Sequence, residues 1–253
     1  MEIVGINQIS PDQVILWSWG FVTINVTILY TWLVMAILVV GSWLVTRNLS
    51  NDINVSRWQH FLEVVISTIR GEIREMSKKG ADKYIPLIGT LFLFICLSNV
   101  LVIVPGFVAP TSSITTTAAL ALCVFIAVPF YGISANGLFH YLKEYFQPNF
   151  IFFPFHVMGE LARTLALTVR LFGNIMSHEK VIGILLSVTP LLFPVIMQAL
   201  GLLIGVIQAY IFAILSMVYI ASATSVHEET PKHKELQESE VRDGIQADRK
   251  SVV

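Results

Sequence analysis

Arg170 stands in the run Thr168-Val169-Arg170-Leu171-Phe172-Gly173-Asn174, well inside an apolar stretch. A guanidinium keeps its proton at every working pH. Arg170 is therefore a permanent cation, suited to attracting a carboxylate and unsuited to carrying a proton itself. An arginine placed in a bilayer costs from about 2.5 to over about 10 kcal/mol, so it needs a partner or a wet cavity. Eight and nine residues on lie His178 and Glu179, two groups that can titrate. Histidine changes charge near neutrality, and burial raises a glutamate toward that range. Upstream stand His156, Glu160 and Arg163. The set describes ion or proton handling inside a membrane, without covalent catalysis.

Helix geometry sorts these groups. At about 100° per residue, His156, Arg163, Arg170 and Ser177 recur every seven positions, the other three staying within about 40° of Arg170. Asn174 lies on the same side, one turn past Arg170. Glu179 falls roughly 180° from Arg170, and Glu160 and His178 lie between, about 80° from it. One helix thus presents a fixed cation on one face and titratable groups on another. His156, Glu160 and Arg163 are spaced to touch each other at three and four residues. That trio fits either the lining of a wet polar path or a self-satisfied group near the membrane edge. The last apolar stretch adds Gln198, Gln208, Tyr210 and Tyr219, with Gly201 and Gly205 spaced for close helix approach. Gln208 is suited to orienting Arg170 or to tying helices together.

The elements that must hold these groups follow from composition. Of 253 residues, 55% are hydrophobic and only 13% charged, with a mean hydropathy of +0.73. A soluble domain carries about 25% charged residues, so a membrane protein is expected. Five apolar stretches stand near 20–46, 84–108, 114–135, 150–188 and 190–226. Each is at or beyond the ~20 residues a helical crossing needs. Lipid cannot satisfy free backbone groups and no alternating barrel pattern is present, so the crossings are helices. The expected fold is an all-α polytopic bundle, ending in a long tilted two-helix hairpin. A single membrane domain covers 1–226, and a polar tail covers 227–253.

Arg47, Arg57, Arg70, Arg74, Lys78, Lys79 and Lys83 fill the first long loop, and the 109–113 loop has no charge. By the positive-inside rule the N-terminus is outside and the C-terminus cytoplasmic. Apolar residues between 57 and 76 recur at three- and four-residue spacing, which predicts an amphipathic helix on the cytoplasmic surface. Cys96 and Cys123, each in an apolar run, read as buried reduced thiols. No basic cluster interleaved with aromatics points to nucleic acid. Residues 1–19 lack the basic start of a signal peptide.

Arg170-Leu171-Phe172-Gly173-Asn174, then Glu179, then Gln208-Ala209-Tyr210-Ile211-Phe212-Ala213 resemble the paired signatures of subunit a of F-type ATP synthases. Leu97-Ser98-Asn99 and the run Pro110 to Thr117 resemble two further motifs of that family. The likeness covers about residues 20–226. It implies a membrane stator with two proton half-channels beside a rotating ring of c subunits. It further implies b-type peripheral stalk subunits, the remainder of the complex, and the lipid bilayer as partners, with no cofactor. By position, Arg170 matches the essential arginine, Glu179 the acid of the outer half-channel, and Gln208 the glutamine facing the arginine. Asn99 and Asn174 match polar positions along the path. Several positions depart from the family pattern. Ser113 and Thr115 replace its usual Asp and Asn, Arg163-Thr164 lacks its proline, and His156 stands where an acid is usual. Gly201 stands where some members carry a titratable group, a role the sequence transfers to His178. A sodium-translocating version of the same subunit is the alternative reading. A secondary transporter is a more distant rival, against which the lack of an internal repeat speaks. The bacterial inner membrane is the expected location, with the thylakoid as the alternative.

Overall fold

The structure is a computed structural model that describes residues 15–19, 22–47, 63–64, 67–68, 70–71, 83–104, 106–138, 153–188 and 193–225. The polar tail and most of the 57–76 segment lie outside the described residues, although 63–64, 67–68 and 70–71 are helical. A short antiparallel hairpin comes first, β1 (Ile15–Trp19) paired with β2 (Val22–Asn25). Five long helices follow: α1 (Val26–Arg47), α2 (Ile85–Val100), α3 (Ile114–Asn136), α4 (Phe153–Val188) and α5 (Phe193–Ser225). The all-α expectation holds for the membrane bundle. The hairpin was not expected, because residues 15–25 read as the edge of an apolar stretch.

Four helices are long and apolar enough to cross a membrane: Val26–Leu44, Ile85–Ile103, Ile114–Ala135 and Phe193–Thr224. α4 is the fifth, and its polar and charged residues keep it below that measure. It nevertheless runs the length of the bundle, antiparallel to α5. Near its start Arg163 lies over Tyr219 of α5, and near its end His178 lies against Gly201. At about 1.5 Å per residue, the 36 residues of α4 and 33 of α5 reach about 54 and 50 Å. Both exceed a hydrocarbon core of about 30 Å, an excess that a membrane accommodates by tilt or by helix running on beyond the core.

The helices meet along one apolar seam. Ile88, Leu91 and Ile95 of α2 meet Ala121, Val124 and Val128 of α3, and Leu167 and Leu171 of α4. Ala209, Phe212, Ala213, Met217 and Ile220 complete the seam from α5. Hydroxyl side chains inside it bond back to the preceding turn, as Ser98 does to Phe94 and Ser216 to Phe212. That satisfies them without a partner helix. Outward, Leu29, Trp32, Val39 and Val40 of α1, Ile126 and Phe130 of α3, Leu165 and Val169 of α4 and Leu203 of α5 are exposed. An apolar surface of that extent belongs against lipid or partner helices, not water.

The connection between α2 and α3 folds inward. After a 3₁₀ turn at Leu101–Ile103, Gly106 turns the chain at φ +89, a conformation that favours glycine. A second 3₁₀ turn, Pro110–Ser112, leads into α3. Ala109 through Ser113 are buried. Irregular backbone at depth is tolerated only when buried in protein or lining a wet cavity. Here side chains from three helices hold it. The Tyr30 hydroxyl of α1 donates to the Gly106 carbonyl at 2.9 Å, and Asn99 of α2 accepts from Thr111 at 2.8 Å. The Gln198 amide of α5 donates to the Val102 carbonyl at 2.9 Å.

Candidate functional site

Arg170 projects from the outer face of α4 and is exposed. Among the described residues it makes no hydrogen bond or ion pair. Ser177, seven residues on, shares its face and is exposed too. Gly159 and Gly173, about 20° and 60° from the arginine by helix angle, meet nothing within 4 Å where a side chain would stand. Arg170 therefore stands on a shallow strip of helix, with the next cation on that face, Arg163, seven residues before it and paired with Glu160. Asn174 is half-buried one turn beyond it. Gln208, expected to face the arginine, is buried on α5 with its Nε2 unpartnered, and no hydrogen bond joins it to Arg170.

About 13 Å further along α4, a polar cluster is folded into the bundle. The Glu179 carboxylate meets the Ser112 hydroxyl and the Ala109 backbone amide. Asn99 sits nearby with both ends of its amide used. Its Nδ2 donates to the Gly205 carbonyl at 2.9 Å, and its Oδ1 accepts from Thr111. His178 lies directly over Gly201. Asn99, His178, Glu179, Gln198 and Gly201 line a cavity of about 20 Å³, room for one water molecule. A water there has polar partners on several sides, so the cavity can extend a hydrogen-bonded path.

The two glycines of α5 thus do something other than bring bare backbones together. A side chain at Gly205 would begin 2.9 Å from the Asn99 Cβ, and one at Gly201 would overlap the His178 ring. Each glycine makes room for a polar side chain from another helix. The structure places the His178 ring in the space that a side chain at position 201 would fill.

About 10 Å from Arg170 in the other direction lies the second cluster. Arg163 Nη1 pairs with Glu160 Oε1 at 2.7 Å, and the guanidinium stacks over the Tyr219 ring at 5.4 Å. The i, i+3 contact expected between these two residues is present. His156 is exposed one turn before Glu160. Arg170 stands between a paired cluster at one end and a cavity-lining cluster at the other. Sequence reasoning found Glu179 but missed Ser112 and Thr111, and saw Gln198 only as a polar residue of the last helix. The single available signal was the density of hydroxyls between Thr111 and Thr117.

A family model described as ATP synthase A chain matches residues 28–221. ATP synthase subunit a 2 of Acaryochloris marina is 55% identical over 94% of this chain and 100% of its own length. ATP synthase subunit a 1 of Chlorobaculum parvum is 53% identical over 88% of this chain and 99% of its own. ATP synthase subunit a of Albidiferax ferrireducens is 51% identical over 89% of this chain and 97% of its own. A polytopic helical bundle and matches spanning nearly whole chains agree, and the protein belongs to the ATP synthase A chain family.

Proposed function

We propose that this chain is the non-catalytic membrane stator subunit a of an F-type ATP synthase, with Arg170 coupling proton flow to rotation of a c-subunit ring. The observation that carries the reading is Arg170 itself, exposed between two separated polar clusters and without an ion pair among the described residues. A cation so placed is complementary to a carboxylate that is brought to it. At about 4 Å and intermediate dielectric the attraction is about 4 kcal/mol. That favours release of the proton from an arriving carboxyl. The same fixed charge repels a proton that would pass directly from one cluster to the other.

In this reading Glu179 and His178, with Asn99 and Gln198 around the cavity, form the outer half-channel. Glu160 and His156, with Arg163, form the inner one. Asn174 and Gln208 flank the arginine. The membrane domain is residues 1–226, followed by the 227–253 tail. The other partners are b-type stalk subunits and the remainder of the complex, in a bacterial inner membrane. The ring contact is tested with Ser177→Cys, which shares the face of Arg170. In the assembled complex it is expected to cross-link to a helix of the c ring. Cross-linking only to another subunit removes the ring from that face.

Orientation follows from charge. Arg47 and Lys83, at one end of the bundle, belong to the basic loop, and the uncharged 101–113 connection lies at the other end. Positive-inside bias puts the first end in the cytoplasm. Thr68 and Val104 are exposed at the two ends. With Cys96 and Cys123 replaced by alanine, Thr68→Cys is expected to react with an impermeant maleimide only from the cytoplasmic side. Val104→Cys should react only from outside. The reverse pattern overturns the orientation.

A further inference from the structure

Ser112 is fully buried, and its hydroxyl lies between two acceptors. Its Oγ donates to the Ala109 carbonyl at 2.8 Å, and the same hydroxyl meets the Glu179 carboxylate. A serine hydroxyl has one hydrogen and two lone pairs, so it cannot donate to both at once. The Ala109 carbonyl has a second donor, the Ser112 backbone N–H at 3.0 Å. It stays bonded when the hydroxyl turns away. The Ala109 N–H, on the far side of the same peptide residue, points to the carboxylate.

We propose that Ser112 is a hydroxyl switch whose hydrogen follows the protonation state of Glu179, and that it stands in for water where the 109–113 turn seals the half-channel. With Glu179 neutral, the carboxyl O–H donates to Ser112 Oγ, and the Ser112 hydrogen rests on the Ala109 carbonyl. When the carboxyl proton leaves through the cavity, the hydroxyl rotates about its Cβ–Oγ bond and donates to the carboxylate. The Ala109 N–H donates alongside it. No covalent bond at Ser112 is made or broken. The cost of rotation is small because the Ala109 carbonyl keeps its backbone donor, whereas a buried acceptor left bare is expensive. Asn99 and Thr111 hold the turn in place, so that the hydroxyl stays within reach of Glu179.

The surroundings make this hydroxyl matter. The charged and titratable groups next to Glu179 on its own helix are His178 and Lys180. The elements packed against it supply Asn99 from α2, Thr111 and Ser112 from the turn, and Gln198 from α5. All of these are uncharged. Among the described residues, donors to the ionised carboxylate are therefore few, and Ser112 is one of two that touch it.

The proposal rests on Glu179 serving proton transfer as proposed above, so the test includes that residue. Complexes carrying Ser112→Ala, Ser112→Thr, Ser112→Cys or Glu179→Gln are reconstituted, and the pumping rate is measured against pH. An ionised acceptor loses more from a missing donor than a neutral carboxyl loses from a missing acceptor. Ser112→Ala is therefore expected to slow pumping by about tenfold and to move the acidic limb of the profile about one unit toward higher pH. Ser112→Thr keeps the hydroxyl and should keep the limb in place. Ser112→Cys, a weaker donor of similar size, should shift the limb less and in the same direction. It carries the comparison if the alanine complex does not assemble. A limb that stays in place in both Ser112→Ala and Ser112→Cys overturns the switch, whether or not the rate falls. Full pumping by Glu179→Gln instead overturns the role of Glu179, and with it any need for Ser112.

Discussion

Replacing Arg170 by Gln or Ala is expected to abolish ATP-driven acidification of inverted membrane vesicles, while ATP hydrolysis by the detached head persists. The argument is one of charge and place. Arg170 is exposed on the face of α4 and makes no hydrogen bond or ion pair among the described residues. The bundle does not need it for its own cohesion, as it needs Leu171 beside it, which is fully buried. An unpaired cation held where lipid or a partner helix must lie is costly. What it gains is attraction to a carboxylate on the partner. Gln keeps a hydrogen-bonding tip but removes the charge, so an arriving carboxyl has no reason to ionise there. Lys should fail nearly as badly. Its ammonium can lose a proton when desolvated, and it cannot offer the planar fork that grips a carboxylate with two bonds. Because Arg170 is not part of the core, assembly of the complex should survive all three changes. Vesicles that pump normally with Arg170→Gln, with no compensating change elsewhere, remove the arginine from the mechanism.

The contrast between Arg170 and Ser112 marks what could be read from the chain itself. Arg170, Asn174 and Glu179 share one uninterrupted helix, so the angle between any two follows from their separation. Their opposed faces were therefore legible without a structure, as was the pairing of Glu160 with Arg163 three residues apart. The excess length of α4 and α5 likewise follows from counting apolar residues. Ser112 was not legible, because its contact with Glu179 joins residues far apart in sequence. That contact depends on how the α2–α3 connection folds inward, and this in turn depends on single side chains such as Tyr30 and Asn99. No periodicity encodes such contacts. The β1–β2 hairpin escaped for a related reason. Short apolar runs look alike as strand or helix, and here one run contains both. The spacing of Gly201 and Gly205 predicts a close approach of helices, whereas each glycine makes room for a side chain. Sequence spacing could not say that the approaching groups are His178 and Asn99.

That last contact carries the second large effect. A methyl group placed at Gly201 would overlap His178 Nε2, far inside any tolerable contact, so the ring must leave its place over α5. The backbone need not move, because the obstacle is the end of a side chain that can rotate. Gly201→Ala is thus expected to leave the bundle assembled but to displace the imidazole from the cavity beside Glu179. Pumping should fall by about tenfold or more, comparable with the loss from His178→Ala. The two changes act on one group, and mutations that share a partner do not add. The double variant Gly201→Ala, His178→Ala should therefore pump as His178→Ala does, within about twofold. An enlarged Gly201→Leu should follow the same rule only if the vacated space accepts it, so alanine is the decisive substitution. If the double variant instead shows the product of the two losses, Gly201 acts independently of the histidine. If Gly201→Ala pumps normally, the position of the imidazole over α5 is irrelevant to transport, and Glu179 must work without it. Equal rates for His178→Ala and the double variant, both well below the parent, would tie the glycine to the histidine as a single unit spanning α4 and α5.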